Sequence, residues 1–517
     1  MIVRRTVWRA AARPWSAAIL VVALGALWGA GCGAPELRPD RPLRIALEAG
    51  PVGMDPHLFA DYHTLNVLAQ VYEGLTTLDG HLRVRPALAR SWETPGEDTW
   101  IFHLRPGVAF HDGHLLSAAD VVFSLRRAQQ LPGSDIAGYL LAVKDCRALD
   151  AETVEIETAR PTATLLAKLA FVAILPAVSP SQISMPVGTG PYRVVSVRPG
   201  DRVELLAWSR YWGGAARTKS VWLEAVEDEG ERVRRLVDGE ANLVSGMSPA
   251  DVARVNAARG CRGVSVEGLT VSHLEMRVDT VPFSDPRVRQ AVNLAIDRAA
   301  LVENVYHGQA RPASQMLTAS AVGYAPDLQP AACDLALARR LLAQAGYPTG
   351  LDVELEYRVG ADLPMAEIKR QLGVAGIRVR LRRQRWEDLY PRLTAGKVFF
   401  YAGAVIAESG DASDLLDAMA HTRDAARGYG EANSSGYSNP ELDRLIELAD
   451  RTLDPLARRE ILQSCLRTWT AGLAEVPLVV PFDIYGVRAD LDWRPRLDAL
   501  ILADDMRRLD GDRGGGR

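Results

Sequence analysis

The stretch at residues 100–127 constrains the fold of this 517-residue chain more than any other part of its sequence. Aromatic and branched residues at its start are typical of a short strand, and Gly113 then allows a tight turn. Ser117 and Asp120 have the spacing of a capping box, which satisfies the first amides of a helix. Apolar residues follow at helical spacing as far as Leu125. The stretch therefore predicts a strand, a turn and a capped helix in succession.

Strand and helix patterns alternate along the rest of the chain, which predicts a mixed α/β architecture. Asp285 and Pro286 favour the start of a helix, and Gly308 is its predicted end. The chain is 48% hydrophobic and 24% charged, as expected of a soluble globular protein with two or three domains. Alternating apolar and polar residues predict half-buried strands at residues 43–47, 203–205, 353–357 and 377–381.

Residues 1–32 have the composition of an export signal that ends at a lipid attachment site. Arginines precede an apolar segment at residues 17–28, which is too short to span a bilayer comfortably. Small residues then lead to Cys32, whose thiol is the predicted point of lipid attachment. Gly29 departs from the aliphatic residue that is usual there, and cleavage near Ala34 without lipidation is the alternative. The prediction is an exported, lipid-anchored protein in the periplasmic space or on the outer cell surface.

Several classes of function find little support in the sequence. The net charge of −4 gives no basis for a surface that binds nucleic acid. His111 and His114 flank a glycine turn without a third ligand, so neither a metal site nor a cofactor is expected. Nucleophile-elbow and zinc-protease motifs are missing, so an enzyme is not expected. Four cysteines besides Cys32 could form disulfides or remain free thiols: Cys146, Cys261, Cys333 and Cys465.

Short motifs occur in a recognisable order over about residues 43–490. They are residues 55–57 (DPH), 71–75 (VYEGL), 86–93 (PALARSWE), 100–127, 188–192 (GTGPY), 211–213 (YWG), 282–291 (PFSDPRVRQA), 295–298 (AIDR), 341–348 (LLAQAGYP) and 437–440 (YSNP). Each motif is weak alone, but their order and spacing together are specific. The chain resembles the extracytoplasmic solute-binding proteins of family 5, the dipeptide and oligopeptide class that supplies ABC importers.

The resemblance implies a bilobal fold of the periplasmic-binding-protein type II kind with an extra inserted domain. The chain would cross between the lobes near residues 280 and 477, and these two crossings would act as a hinge. The implied parts are a discontinuous lobe I (residues 33–76, 188–280 and 478–517), an inserted domain (residues 77–187) and lobe II (residues 281–477).

The resemblance also places the ligand in the cleft between the lobes. Asp411, which follows Gly410 in a loop, aligns with the carboxylate that meets the α-ammonium group of a peptide. A buried cation needs a paired anion, and such charge-assisted bonds are strong. Glu408 stands where Trp is usual and Leu415 where Pro is usual, so the loop loses an aromatic wall and gains a carboxylate. An Asx turn at Asp411 is the structural alternative.

Three further residues are candidates for the border of the cleft. Arg277 replaces the asparagine that is usual in the family, and it would lie at the cleft edge or on the surface. Trp386 and Tyr485 would form walls of the cleft, or else belong to the core as aromatic residues more often do.

The predicted function is that of a substrate-binding lipoprotein that carries out no chemistry. It would capture a peptide or peptide-like solute and, as a monomer, deliver it to the membrane permease of an ABC transporter. The same fold could instead bind a nickel chelate, an oligosaccharide or an opine. A receptor that signals through a partner protein is the remaining alternative.

Overall fold

The structure, a computed structural model, describes residues 41–59, 61–361 and 363–509. The predicted signal segment and Cys32 lie outside the described residues. Within these ranges, no helix combines the length and the apolar character needed to cross a membrane. The four cysteines in these ranges have free thiols, so the structure pairs none of them in a disulfide.

Strands of the described ranges are numbered here in chain order. They are β1 Leu43–Leu47, β2 Thr76–Leu78, β3 Val84–Pro86, β4 Ala89–Glu93, β5 Thr99–Leu104, β6 Val143–Ala148, β7 Thr153–Thr158, β8 Tyr192–Arg198, β9 Arg202–Ala207, β10 Ser220–Ala225, β11 Leu243–Val244, β12 Cys261–Glu267, β13 Thr270–Met276, β14 Ala310–Pro312, β15 Leu351–Arg358, β16 Ile377–Gln384, β17 Phe400–Ile406, β18 Glu475–Arg488, β19 Leu491–Asp492 and β20 Arg507–Arg508.

The α-helices are numbered in the same way. They are α1 Tyr62–Leu68, α2 Ala118–Gln130, α3 Leu165–Lys168, α4 Glu229–Val237, α5 Asp251–Ala257, α6 Pro286–Ala295, α7 Arg298–Asn304, α8 Leu335–Gln344, α9 Met365–Val374, α10 Trp386–Thr394, α11 Ser413–Leu415, α12 Pro440–Arg451 and α13 Pro455–Gly472. A single turn of π-helix, Leu416–Ala420, follows α11 directly.

The predicted strand, turn and capped helix at residues 100–127 are present as β5, a turn and α2. The Asp120 carboxylate accepts the Ser117 amide at 2.8 Å and the Ser117 hydroxyl at 2.7 Å, so the cap is confirmed. β5 lies in an antiparallel sheet of order β4-β5-β7-β6, and Phe102 of this strand is fully buried. Buried residues of the predicted inserted domain, Phe102 among them, form a hydrophobic cluster separate from those of the long sheet.

One long sheet extends through both predicted lobes. Its strand order is β16-β15-β17-β13-β18-β11-β1-β10-β9-β8, and β12 and β14 also pair with β18. Helices and strands are mixed along the chain, as predicted. The alternating patterns at residues 43–47, 353–357 and 377–381 lie in β1, β15 and β16, and residues 203–205 lie in β9.

The strand β18 passes from one predicted lobe to the other. The first part of β18 pairs with β13 and β14, and this part ends at Pro481, which lies opposite Ala310. From Phe482 onward, β18 pairs with β12. The preceding crossing lies at residues 268–269, because β13 pairs with β17 along its whole length. The strand pairing therefore changes somewhat before residue 280 and somewhat after residue 477, the two predicted crossing points. The hinge itself stays a prediction.

The helix predicted from Asp285 to Gly308 is instead two helices, α6 and α7. Asp285 caps the first helix as predicted, and its carboxylate accepts the Arg287 amide at 2.9 Å. The prediction of one continuous helix was wrong because Asp297 accepts the Ala300 amide at 2.9 Å and so caps a second helix.

Candidate ligand-binding cleft

A cavity of about 170 Å³ lies where the two predicted lobes and the inserted domain meet. The wall from predicted lobe I includes Tyr62 and Leu65 from α1, Asp483 from β18 and the segment 497–500. Leu269 and Thr270, where the chain crosses between the lobes, also line the cavity. Ile406 at the end of β17 and Glu408 just beyond it form the wall from lobe II, and Phe171 closes the inserted-domain side. Since all three parts supply walls, any change in their relative positions would open or close this space.

The cavity combines apolar walls with acidic groups. Glu408, Asp483 and Asp498 line it, and none of the described lining residues is basic. Asp498 is already paired, because Arg496 donates to both of its carboxylate oxygens at 2.9 and 2.6 Å. Glu408 and Asp483 are therefore the two carboxylates that a cationic ligand group could meet.

Asp483 lies in a region where a carboxylate is costly to ionise. Burial and the neighbouring Glu48 carboxylate raise the pKa of Asp483 to about 7. A cation in the cavity would favour the ionised form of Asp483 and lower this pKa. The attraction between the two charges would then offset the free-energy cost of burying the carboxylate.

Glu408 is held in place from the inserted domain. The Tyr139 hydroxyl donates a hydrogen bond to its carboxylate, and the Tyr139 ring stacks on Phe171 with ring centroids 5.0 Å apart. Glu408 remains exposed, so part of its hydrogen-bonding capacity is open to a ligand. This contact joins the predicted inserted domain to predicted lobe II at the rim of the cavity.

The structure gives Asp411 a partner within the protein. Its two carboxylate oxygens accept hydrogen bonds from the Arg458 guanidinium at 2.6 and 2.8 Å, and both side chains are buried. It also accepts the Ser413 amide at 2.9 Å, as in an Asx turn. A ligand ammonium group would have to compete with this bidentate pair. The ammonium-binding role of Asp411 stays a prediction, and Asp411 does not line the cavity.

Gly410 packs closely against a neighbouring segment and does not face open space. Its φ is +72°, and an added Cβ atom would lie 2.6 Å from Leu82 Cδ1 of the inserted domain. The glycine therefore allows the loop of lobe II to approach the inserted domain closely.

Arg277, Trp386 and Tyr485 do not line the cavity. Arg277 donates to Asp279 at 2.7 Å, and Trp386 begins α10, is 42% exposed and packs on Tyr390. Tyr485 is buried in the lobe I core with its ring edge against Trp493. Asp483, two residues earlier on β18, is the residue that sequence reasoning missed. Asp483 is the one charged residue between the two ends of β18, and an acidic residue in such an apolar run is the signal that could have indicated it.

A different cavity, of about 280 Å³, lies between lobe I and the inserted domain without residues of lobe II. Of the four acidic residues in its described lining, Glu73 accepts hydrogen bonds from Trp212, Tyr211 and Thr189 at 2.7–3.1 Å. Since the protein already satisfies Glu73, the smaller cavity between the lobes is the better candidate for a solute site.

Comparison with known proteins defines the class. The model of bacterial extracellular solute-binding proteins, family 5 middle, matches residues 83–427. The chain therefore belongs to family 5 of the bacterial extracellular solute-binding proteins. It is 28% identical to heme-binding protein A of Haemophilus influenzae, over 77% of this chain and 80% of that protein. It is 27% identical to the dipeptide-binding protein of Escherichia coli, over 80% of this chain and 84% of that protein.

Solved structures share the fold. The periplasmic binding protein DppA from Helicobacter pylori, in complex with peptide STSA, matches with a TM-score of 0.78 at 24% identity, over 90% of this chain and 98% of that one. NikA from Staphylococcus aureus, in complex with Ni(L-His)2, matches with a TM-score of 0.74 at 21% identity, over 90% of this chain and 100% of that one. The predicted mixed α/β fold of the type II periplasmic-binding-protein kind is confirmed.

Proposed function

We propose that this protein is the solute-capturing component of an ABC importer for peptides or peptide-like solutes that carry a free ammonium group. The solute would bind between the lobes, and the closed protein would then present it to the membrane permease. Lipid attachment at Cys32 would keep the protein, as a monomer, at the membrane surface. No chemical step is part of this proposal.

The observation that supports this proposal is the charge of the cavity between the lobes. Glu408 and Asp483 approach it from opposite lobes, and its described lining includes no basic residue. A primary ammonium group between them would pair with both, and charge-assisted hydrogen bonds are about twice as strong as neutral ones. Such a ligand would join the lobes electrostatically, whereas the unliganded carboxylates would disfavour closure.

The volume of the cavity bears on the size of the group that it encloses. Pockets for drug-sized ligands usually have about 300–1,000 Å³. A cavity of about 170 Å³ therefore suits a short solute, or the amino-terminal part of a longer one.

A thermal-melt panel tests the proposal. We expect free-amine di- to pentapeptides to raise the Tm, because a ligand at a hundred times its Kd stabilises the native state by about 2.7 kcal/mol. The N-acetylated forms of the same peptides should give no shift. Sugars, opines and nickel with histidine complete the panel. A shift with one of these and with no peptide would replace the proposed solute by the one that binds.

Two substitutions connect that result to the cavity. Glu408→Gln and Asp483→Asn should each reduce the shift produced by free-amine peptides, because each removes one anionic partner of the ammonium group. Glu441→Gln is the matched control, since Glu441 is an exposed carboxylate on α12 outside this cavity. An undiminished shift in both cavity variants would locate the ammonium site elsewhere.

A further inference from the structure

A second cavity adjoins the proposed solute cleft. It measures about 290 Å³ and lies between the inserted domain and lobe II. Ile406 and Glu408 line both cavities, so a solute held at Glu408 could extend from one into the other. Acidic side chains outnumber basic ones in its lining by six to three. We refer to this second cavity as the acidic chamber.

Most carboxylates of the acidic chamber have partners within the protein. Asp414 accepts the Ser409 amide at 2.7 Å and the Ser409 hydroxyl at 2.8 Å. Asp450 accepts the Tyr429 hydroxyl at 2.6 Å and lies 3.7 Å from the Arg160 guanidinium. These groups are structurally satisfied and leave little for a ligand.

Asp417 differs from these paired carboxylates because its unpaired oxygen is buried. Its Oδ1 atom is out of reach of solvent and has no hydrogen-bond partner among the described residues. Asp417 lies on the π-helical turn Leu416–Ala420, and such wide turns occur frequently at functional sites. A buried acceptor without a donor costs about 1–3 kcal/mol, and more if it is charged. The position therefore calls for a cation or a donor that the protein itself does not supply.

The charges around Asp417 are also mostly negative and would favour a bound cation. Burial, and then the Asp450 carboxylate, raise the pKa of Asp417 well above its usual value, and Asp414 and Asp411 act in the same direction. Lys168 of the inserted domain lowers this pKa without a hydrogen bond to Asp417. The other basic groups are engaged elsewhere: Arg458 with Asp411, Arg427 with Asp424 and Glu447, and Arg160 with Asp450.

We propose that the acidic chamber is a side-chain subsite for a second cationic group, with Asp417 as the residue that determines the preference. The solute would be a short peptide, or a peptide-like molecule, with a guanidinium or a primary amine on a side chain near its amino terminus. This inference rests on the proposed function, because the first ammonium group fixes the solute at Glu408. The side-chain cation then supplies the missing donor to Asp417 Oδ1.

Calorimetric titration of matched tripeptides tests the subsite. One pair has arginine or its neutral analogue citrulline near the amino terminus, and the other has lysine or norleucine. We expect the cationic member of each pair to bind at least about tenfold more tightly, a difference of about 1.4 kcal/mol. In Asp417→Asn the ratio of the two Kd values should fall to about one. Glu441→Gln should keep the wild-type ratio.

A third variant guards against a folding defect in Asp417→Asn. Among the basic residues in the described lining of the chamber, Lys168 is the one without an ion pair to a described residue, so Lys168→Met should increase the preference for the cationic peptides. Equal Kd values within both pairs for the wild-type protein would overturn the subsite and leave the proposed function standing. If no free-amine peptide binds at all, both the proposed function and the subsite are wrong. If Lys168→Met instead reduces the preference, Lys168 is part of the solute site and the assignment to Asp417 fails.

Discussion

Replacing Arg458 by methionine is expected to lower the free energy of unfolding by about 3–5 kcal/mol, because it would leave the Asp411 carboxylate buried and unpaired. The Arg458 and Asp411 side chains are only 8% and 11% exposed. Arg458 also donates to the Ser413 hydroxyl at 2.8 Å and to the Ala449 carbonyl at 3.1 Å, so its removal would break a network that ties α13 to α11 and α12.

Urea denaturation measures this loss, and the same helix offers a matched control. Arg467 of α13 pairs with Asp327 at 2.7 Å, but both side chains are largely exposed. Arg467→Met should therefore cost no more than about 1 kcal/mol. Equal losses in the two variants would contradict the structural role given to Arg458.

The double variant Arg458→Met with Asp411→Leu separates the structural role of Asp411 from its predicted role in ligand binding. Removing both charges should restore most of the stability, since a buried ion pair can often be replaced by apolar residues at little cost. If this folded variant still discriminates free-amine from N-acetylated peptides, Asp411 is a structural residue. If it has lost that discrimination, the ammonium group binds at Asp411.

Stability is expected to fall as the pH rises from about 4.5 to 8, because two buried carboxyl groups are protonated in the folded protein. Glu275 of β13 and Glu475 of β18 are direct cross-strand partners, and both are buried. Burial raises the pKa of Glu275 to about 7, and burial together with the Glu275 charge raises the pKa of Glu475 to about 8. The Ser434 hydroxyl donates to Glu275 at 2.6 Å.

The direction follows from proton binding in the two states. Between pH 4.5 and 8 the folded protein holds more protons at these groups than the unfolded chain, so raising the pH favours unfolding. The pair's contribution is fully present below about pH 4.5 and is lost as the pH passes the folded-state pKa values. Since one unit of pKa corresponds to about 1.4 kcal/mol, the change is on the order of several kcal/mol.

Glu475→Gln removes the charge that must be buried at high pH. Its Tm should exceed that of the wild-type protein at pH 8, and this advantage should disappear near pH 5. Scanning calorimetry at both pH values measures the effect, with Glu441→Gln as the exposed control. A parallel pH dependence in Glu475→Gln and the wild-type protein would exclude Glu475 as a cause of the pH dependence.

Local features could be predicted from the sequence where neighbours in the chain determine them. The Ser117 and Asp120 cap depends on residues three positions apart, and the helix start at Asp285 depends on Pro286 directly after it. The break at Asp297 was missed, because the apolar spacing continued through a position where a capping carboxylate ended one helix and began another.

The site depends on residues that are distant in sequence, and for this reason prediction reached only part of it. Glu408 lines the cavity, but the Arg458 partner of Asp411 is 47 positions away and gave no sequence signal. Asp483 enters the site because β18 changes partners just before it. An aromatic residue in a sequence, such as Tyr485, can belong equally to a wall or to a core, and only packing distinguishes the two.

The most direct test of the account is a crystal structure of the protein with the free-amine peptide that stabilises it most. The account predicts electron density for the peptide between the lobes, with its ammonium nitrogen within about 3 Å of the Glu408 and Asp483 carboxylates. Density for the ligand outside this cavity, or a peptide whose ammonium group pairs with neither carboxylate, would contradict it.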